Sequence, residues 1–403
     1  MAPWLRVALG MFAVSFGANL FAPLLPVMRE VHDLSQAQVN FLLAIYIVGL
    51  VPALLIGGPA SDRRGRRAVV RPALLFSSVG TLTTLVAHFF AEPVSPVILV
   101  VGRMLTGVAV GLVLAAGASW LKEITPAGAD GAGPGTAAKR ATIATSAGFG
   151  VGPLVTGPVA EWLPGPDTSG LVLHLVMILA LTPLVWTTPS AEDTAAHRPP
   201  TTSTRTHRVP LIPPSARSRH FLFAVASWAP WAFGCATTSF AALAPVAAEH
   251  VGPAVAYTGL IAGITMLTGA FIQPRIGRHA DLGARPHPAV LGLGTATVGM
   301  LLAVAVCTLD QAAAWLMVPT AMVLGTAYGI MMVSGLREVQ RIAPPHELGA
   351  LTGVFYTLTY IGFFAPFVIS LIAPHTGHAS VFLFGAVVTV ASVPLVLSVT
   401  RRG

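Results

Sequence analysis

The chain has 403 residues, of which 54% are hydrophobic and only 9% charged, with a mean hydropathy of +0.77. Soluble domains carry about a quarter charged residues, so a water-soluble globular protein is excluded, and the hydrophobicity excludes a disordered one. The net charge of +8 raises the question of nucleic acid, which the placement of the cations answers below; the two cysteines, Cys235 and Cys307, both in apolar runs, imply no disulfide framework.

Apolar stretches of membrane-crossing length predict six spans, roughly 5–28, 37–59, 69–90, 96–121, 141–163 and 170–186. A Pro-, Thr- and Arg-rich stretch follows that has little to bury and reads as a flexible linker. Six more spans are expected at 221–248, 253–273, 289–308, 312–334, 348–372 and 381–399. Periods this long are helices rather than barrel strands, because in lipid the backbone must satisfy its own hydrogen bonds. The expected organisation is an all-α integral membrane protein of twelve transmembrane helices in two six-helix bundles, 1–187 and 220–403, joined by a linker at 188–219. Lys and Arg fall almost entirely in alternate loops: Arg63, Arg64, Arg66, Arg67, Lys139, Arg205, Arg278, Arg341 and Arg401 are examples. The intervening loops carry Glu30, Asp33, Glu92, Asp167, Glu249 and Asp310 instead. This positive-inside pattern places both termini in the cytoplasm. The basic balance is therefore topology and not a nucleic-acid footprint. Arg far above Lys, with abundant Ala, Gly and Pro, points to a GC-rich bacterial genome and hence to the bacterial plasma (inner) membrane.

The halves repeat. A shift of 219 positions lays Phe21 on Phe240, Leu24 on Leu243, Pro26 on Pro245 and Glu30 on Glu249, and, without a gap, Gly58 on Gly277, Asp62 on Asp281 and Arg66 on Arg285. With six spans per half, the copies share orientation about an axis along the membrane normal, the architecture of a transporter that rocks around a central site.

Between spans two and three lies Gly58-Pro59-Ala60-Ser61-Asp62-Arg63-Arg64-Gly65-Arg66-Arg67. It resembles the loop signature G-x-x-x-D-R-x-G-R-R of the major facilitator superfamily. Gly58 suits close helix approach, Gly65 a tight turn, and Arg63, Arg66 and Arg67 an anionic leaflet. The resemblance implies that Asp62 faces the start of span eleven, near Leu348 and Gly349, where a helix N-terminus carries about half a positive charge. That contact would latch the inner side shut. The second-half copy keeps Gly277, Asp281 and Arg285 but has Leu282 and Pro286 at two basic positions. In span four, Arg103-Met104-Leu105-Thr106-Gly107 looks like the family's R-x-x-x-G element; an intramembrane arginine serves either a cavity or an interhelical clasp. Span five carries Gly148-Phe149-Gly150-Val151-Gly152-Pro153-Leu154-Val155-Thr156-Gly157, which resembles G-x-x-x-G-P-x-x-G-G of the exporting, antiport branch, with Thr156 in place of one glycine.

Candidate cavity residues are Asn19, Arg103, Trp228, Trp231, Tyr328, Tyr356 and Tyr360. The resemblance implies that spans one, four, seven and ten line the cavity, with eleven bordering it. No carboxylate falls near mid-span, which leaves Asp62, Glu161 and His174 as candidates for proton coupling, His174 lying so near the span end that an interfacial place is expected. A neutral or weakly anionic amphiphile fits better than a multicharged cation. His375 and His378 have metal-pair spacing but no further ligand nearby, and Gly131 to Gly135 lacks a phosphate-loop ending, so neither metal nor cofactor is expected. No nucleophile stands beside a His and an acid, which argues against an enzyme. The combined reading is a monomeric secondary transporter exporting small amphipathic compounds, drugs or metabolites, in exchange for protons. The alternative is a facilitator or proton-coupled importer with the same fold.

Overall fold

The computed structural model describes residues 1–125, 136–189, 210, 212–281, 287–344 and 346–400, apart from the side chains of 280, 281 and 400. Most of the linker, the Gly131 to Gly135 stretch, Leu282, Arg285, Pro286 and the side chain of Asp281 lie outside the described residues.

The regular secondary structure among the described residues is helical. The first crossing is split into α1 (Pro3–Asn19) and α2 (Leu25–Val31). There follow α3 (Gln36–Arg64), α4 (Arg67–Val86), α5 (Val94–Glu123), α6 (Thr136–Trp162) and α7 (Ser169–Trp186). The second half supplies α8 (Arg219–Ala248), α9 (Ala254–Asp281), α10 (Pro288–Thr308), α11 (Ala312–Ile342), α12 (Leu348–Thr376) and α13 (His378–Thr400). From α3 onward, eleven of these are long and apolar enough to cross a membrane. The sequence suggests one unbroken first span over 5–28. The structure breaks it at 20–24 because Pro23 and Pro26 cannot continue an α-helical ladder; Pro26 sits in the first turn of α2, where its missing N–H costs nothing.

Several helices overrun their apolar stretch by two turns or so. The last turns of α3, α9 and α11 hold Arg63 and Arg64, Arg278 and His279, and Arg341. Cations there complement the negative end of the helix dipole, so the charged ends stay helical beyond the hydrocarbon-length core. Exposed apolar side chains recur on single faces: Leu75, Val79, Leu82 and Val86 on α4, Val172, Val176 and Leu179 on α7, Leu383, Val387 and Val390 on α13. A soluble protein would bury such stripes; against lipid tails they are at home. Among the eleven helices of crossing length the most enclosed is α8, with 83% of its most apolar stretch inside the protein against 56% or less for the other ten. It is not a regular helix, containing π-helical stretches at Leu222–Ala226 and Thr238–Leu243.

The chain forms two compact units. Unit 1 comprises Met1–Asn19, Ile45–Gly152 and Gly170–Pro210; unit 2 comprises Leu20–Ala44, Pro153–Ser169 and Leu211–Gly403. Unit 1 is built on glycine contacts. A Cβ on Gly49 would lie 2.0 Å from the Met104 carbonyl oxygen, and one on Gly107 1.8 Å from that of Tyr46, so α3 and α5 touch backbone to backbone. Gly148 and Gly152 of α6 meet the Phe12 and Phe16 carbonyls of α1 in the same way, at 2.4 and 2.7 Å. Unit 2 repeats the device, with Gly325 and Gly329 of α11 against Thr265 and Gly269 of α9. Lipid gives helices little hydrophobic reason to associate, and thin surfaces that maximise van der Waals contact supply the cohesion instead.

Candidate functional site

In unit 1 the polar interior is assembled around breaks in the backbone ladder. Pro153 has no N–H, so the carbonyl of Phe149, four residues earlier, has no α-helical donor. The Asn19 side-chain amide donates to it at 2.7 Å. Arg103 is buried on α5 and donates through Nη1 to the Ala18 carbonyl at 3.3 Å, in the last turn of α1 where carbonyls lack partners farther along the helix. Its guanidinium also lies 5.2 Å from the centre of the Tyr46 ring, a cation–π distance. Asn19 and Arg103 thus converge on the end of α1 that the proline break exposes.

His174 is fully enclosed, not interfacial: its place in the second turn of α7 faces α1 and α4, and a Cβ on Gly17 would strike its ring. Nε2 lies 3.1 Å from the Ala13 carbonyl and Nδ1 2.8 Å from the Thr81 hydroxyl. A carbonyl only accepts, so Nε2 carries a proton, and in the neutral ring Nδ1 is then the acceptor for the Thr81 hydroxyl. The neutral ring satisfies both neighbours, and it stacks on Phe16 at 6.1 Å.

At the basic end of unit 1, Arg66 pairs with Asp62 one turn away, donates to the Ser61 hydroxyl at 2.9 Å, and lies 3.3 Å from the Glu123 carboxylate at the end of α5. Asp62 stays 69% exposed; Arg63 is exposed and Arg67 partly buried. Gly65 has φ +84°, the left-handed value its place in the turn requires. Gly58 differs from expectation. Nothing lies within 4 Å of a Cβ placed there, and the close approach belongs to Gly57, against Ala115 and Leu112.

In unit 2 an aromatic cluster forms around Phe233 of α8, whose ring centre is 5.0 Å from Tyr328, 4.6 Å from Tyr360 and 4.9 Å from Phe363. Tyr356 joins through Tyr360 at 6.5 Å. Tyr328 seats on Gly269, and Gly362 meets the Pro230 carbonyl and the Gly234 amide. The structure therefore brings together the three tyrosines singled out by sequence. The tryptophans lie elsewhere: Trp228 is buried with its indole N–H on the Ala224 carbonyl at 2.6 Å, and Trp231 packs on the apolar cluster that includes Met300. Sequence reading missed Phe233, one of nineteen phenylalanines with no spacing to mark it.

Two polar regions flank this cluster. At the end away from the basic loops, the α6 residue Glu161 accepts hydrogen bonds from the Val255 and Ala256 amides at 2.8 and 3.1 Å, one turn beyond the close approach of Gly157 to Gly259. Asn40 donates to the Pro366 carbonyl at 3.1 Å, beside a cavity of about 760 Å³ rimmed by Arg29, Glu30, Asp33, Glu249 and His378. At the other end, buried Glu338 accepts from Arg341 at 2.7 Å and neighbours His220 Nε2. Arg341 Nη2 lies 2.8 Å from that same nitrogen; one atom cannot both donate to Glu338 and accept from Arg341, so the ring serves one of them at a time. Burial holds nearby His287 below its ordinary value, with Glu338 pulling the other way and Arg341 and His220 reinforcing the shift. The Ser215 side chain and its backbone N–H, which donates at 3.1 Å, hold Glu347 below the usual carboxylate range against the opposing effect of desolvation. Among the described residues no group of three His, Cys, Asp or Glu side chains is placed to hold a metal ion.

Comparison with known proteins yields a match to the family model described as Major Facilitator Superfamily, over residues 7–365 and again over 229–403. A bacillibactin exporter of Bacillus subtilis (strain 168) is 28% identical over 95 residues, 24% of this chain and 23% of the relative. An inner membrane transport protein of Escherichia coli (strain K12), YnfM, is 32% identical over 127 residues, 30% of this chain and 28% of the relative. The matched segments thus span about a quarter of these relatives' length. Among solved structures, the nucleoside transporter NupG superposes with a TM-score of 0.74 at 14% identity, covering 100% of both chains.

Proposed function

The chain belongs to the major facilitator superfamily, a multi-pass membrane transporter and not an enzyme, and from that premise we propose that it exports small amphipathic compounds by alternating access in exchange for protons. The observation that carries this reading is α6. Its Gly148 and Gly152 lie on the α1 backbone, its Pro153 leaves a carbonyl that Asn19 answers, and its Gly157 lies on α9. A helix with one thin face for each of two neighbours and a proline bend between them is built to flex between packings. The same element resembles that of the antiport branch, and the B. subtilis relative, an exporter, supports the direction over the quarter of the chain it matches.

Substrate-binding groups are proposed in each unit separately, Asn19 and Arg103 in unit 1 and Phe233, Tyr328, Tyr356 and Tyr360 in unit 2, groups suited to a neutral or weakly anionic amphiphile. Asp62, exposed beside Arg66, is the proposed switch and proton carrier, with Gly58, Arg63, Gly65, Arg67 and Asp281 as parts of the two loop copies. His174, committed on both nitrogens in its neutral form, is read as a clasp between α1, α4 and α7. Both termini are proposed to face the cytoplasm of a bacterial inner membrane, the two sequence halves to act as the moving bundles, and the protein to work as a monomer. The test is accumulation of a panel of amphiphiles in efflux-deficient bacteria expressing the protein, with and without a protonophore. Lower accumulation that the protonophore abolishes is expected; raised accumulation would overturn export. Facilitated or proton-coupled import is the second reading, favoured by one observation: the buried carboxylates among the described residues, Glu338 and Glu347, sit at helix ends and not mid-span.

A further inference from the structure

The first turn of α9 has no cap of its own. The chain enters it through Gly252 and Pro253, neither of which carries a side-chain acceptor. Of the amides at its start, that of Ala254 donates to the Gly252 carbonyl and that of Tyr257 to the Pro253 carbonyl. The Val255 and Ala256 amides between them have no such backbone partner, and both donate to the single oxygen Oε2 of Glu161, 94 and 95 residues away in sequence.

On its own helix Glu161 is misplaced. It is the penultimate residue of α6, where the helix dipole is negative and a carboxylate is unfavourable. A local rule broken in this way signals a compensating role elsewhere, and the positive end of α9 is the compensation. The contact is also backed by geometry: one turn back, a Cβ on Gly157 would lie 2.9 Å from the Gly259 Cα, and a Cβ on Gly259 2.5 Å from the Pro153 carbonyl oxygen. The two backbones touch, and the carboxylate closes the open end of the crossing.

We propose that Glu161 is a positioning residue for the transport cycle, a charge-to-helix clasp that holds the end of α6 onto the first turn of α9 and must be released for that end to open. Resting on the reading of the chain as an alternating-access transporter, it assigns Glu161 the part of an acceptor and not of a proton carrier. A side chain that only stabilised the fold would add equally to every conformation. A clasp between a first-half and a second-half helix shifts the balance between them.

The test is a distance measurement. Spin labels are placed at Leu163→Cys, 53% exposed beyond the end of α6, and at Gly252→Cys, where an added Cβ meets nothing within 4 Å, in a C235A/C307A background of the full chain in nanodiscs. Glu161→Gln keeps size and shape but loses the charge. Expected is a rise of about tenfold in the ratio of long to short distances, the scale of one charge-assisted hydrogen-bonded pair, and a return towards the parent with Glu161→Asp. Distance distributions of E161Q that superimpose on the parent would overturn the clasp, as would an equal effect of E161D and E161Q. The readout needs no substrate. A shifted distribution in a protein that fails to lower amphiphile accumulation would leave the clasp standing and remove export; unchanged distances in a protein that exports would do the reverse.

Discussion

Glycine to alanine at position 107 adds one methyl carbon where the structure has no room for it. The new Cβ would sit 1.8 Å from the Tyr46 carbonyl oxygen, 2.8 Å from its carbon and 2.9 Å from the Leu50 nitrogen. All three are backbone atoms of α3, so no rotamer change relieves the clash. Ordinary contact begins near 3.4 Å, and α5 must therefore move from α3 by about 1.5 Å. Gly49 on the facing helix and Gly111 one turn on share the same crossing, so the displacement propagates along it. Arg103, one turn before Gly107, rests on Ala18 and Tyr46 and shifts with it; a 3.3 Å hydrogen bond does not survive such a step. Overpacking costs about 1–3 kcal/mol where side chains can adjust, and the backbone neighbours place G107A at about 3 kcal/mol or above. The same substitution at Gly58, within α3 but with open space around it, removes a helix-interior glycine and is expected to stabilise by up to about 1 kcal/mol. Thermal denaturation in detergent, followed by the monodisperse fraction on size exclusion, reads both. An apparent melting temperature of G107A at or above that of G58A would refute the packing argument.

His174→Phe keeps the ring that stacks on Phe16 but drops both hydrogen bonds; a loss of about 1–3 kcal/mol in stability is expected, with the pH profile of transport unmoved, whereas a shifted profile would return His174 to the proton path. Phe233→Ala removes the ring on which Tyr328, Tyr360 and Phe363 converge and is expected to cost about 3–5 kcal/mol; Phe233→Leu, which refills the space, should recover most of the stability while still altering compound selectivity, as a transport panel would read. Because the Glu347 carboxyl is held below its ordinary range, its contribution is present in full above the unfolded value and is lost as pH falls through the lowered one. Limited proteolysis around Pro214–Arg217 should therefore speed up as pH drops below the ordinary carboxylate range, and E347Q should be equally susceptible at both pH values.

The spans were legible because hydropathy reports what each helix meets in bulk, and lipid is met over the whole length of a crossing. The break at 20–24 was within reach, since Pro23 and Pro26 stood in the sequence; uniform apolarity masked them, as hydropathy does not register a missing donor. The reach of α9 and α11 past their apolar cores was hidden for the converse reason: charged last turns lower hydropathy while stabilising the helix end. At the site, Asn19, Arg103 and the tyrosines stood out as polar or aromatic groups inside spans. Their partners did not, because a bond such as Asn19 to Phe149 or His174 to Ala13 joins residues 130 or 161 apart, and its acceptor is a main-chain carbonyl that every residue carries. His174 was placed at the interface by its distance from the span end, yet which way it faces depends on Thr81 and Gly17 of other helices. Gly58 and Gly57 are indistinguishable as letters; only the neighbouring helix decides which one it touches.

The measurement that bears most directly on export by proton exchange is made with the purified protein in vesicles that enclose a pH-sensitive dye and hold an imposed proton gradient. Amphiphiles are added one at a time. With proton exchange, at least one neutral or weakly anionic compound is expected to dissipate the gradient faster with the protein than in empty vesicles, and Asp62→Asn to abolish the difference while the protein remains monodisperse. Compounds that equilibrate across the membrane through the protein with the proton gradient untouched would contradict it and make the chain a facilitator.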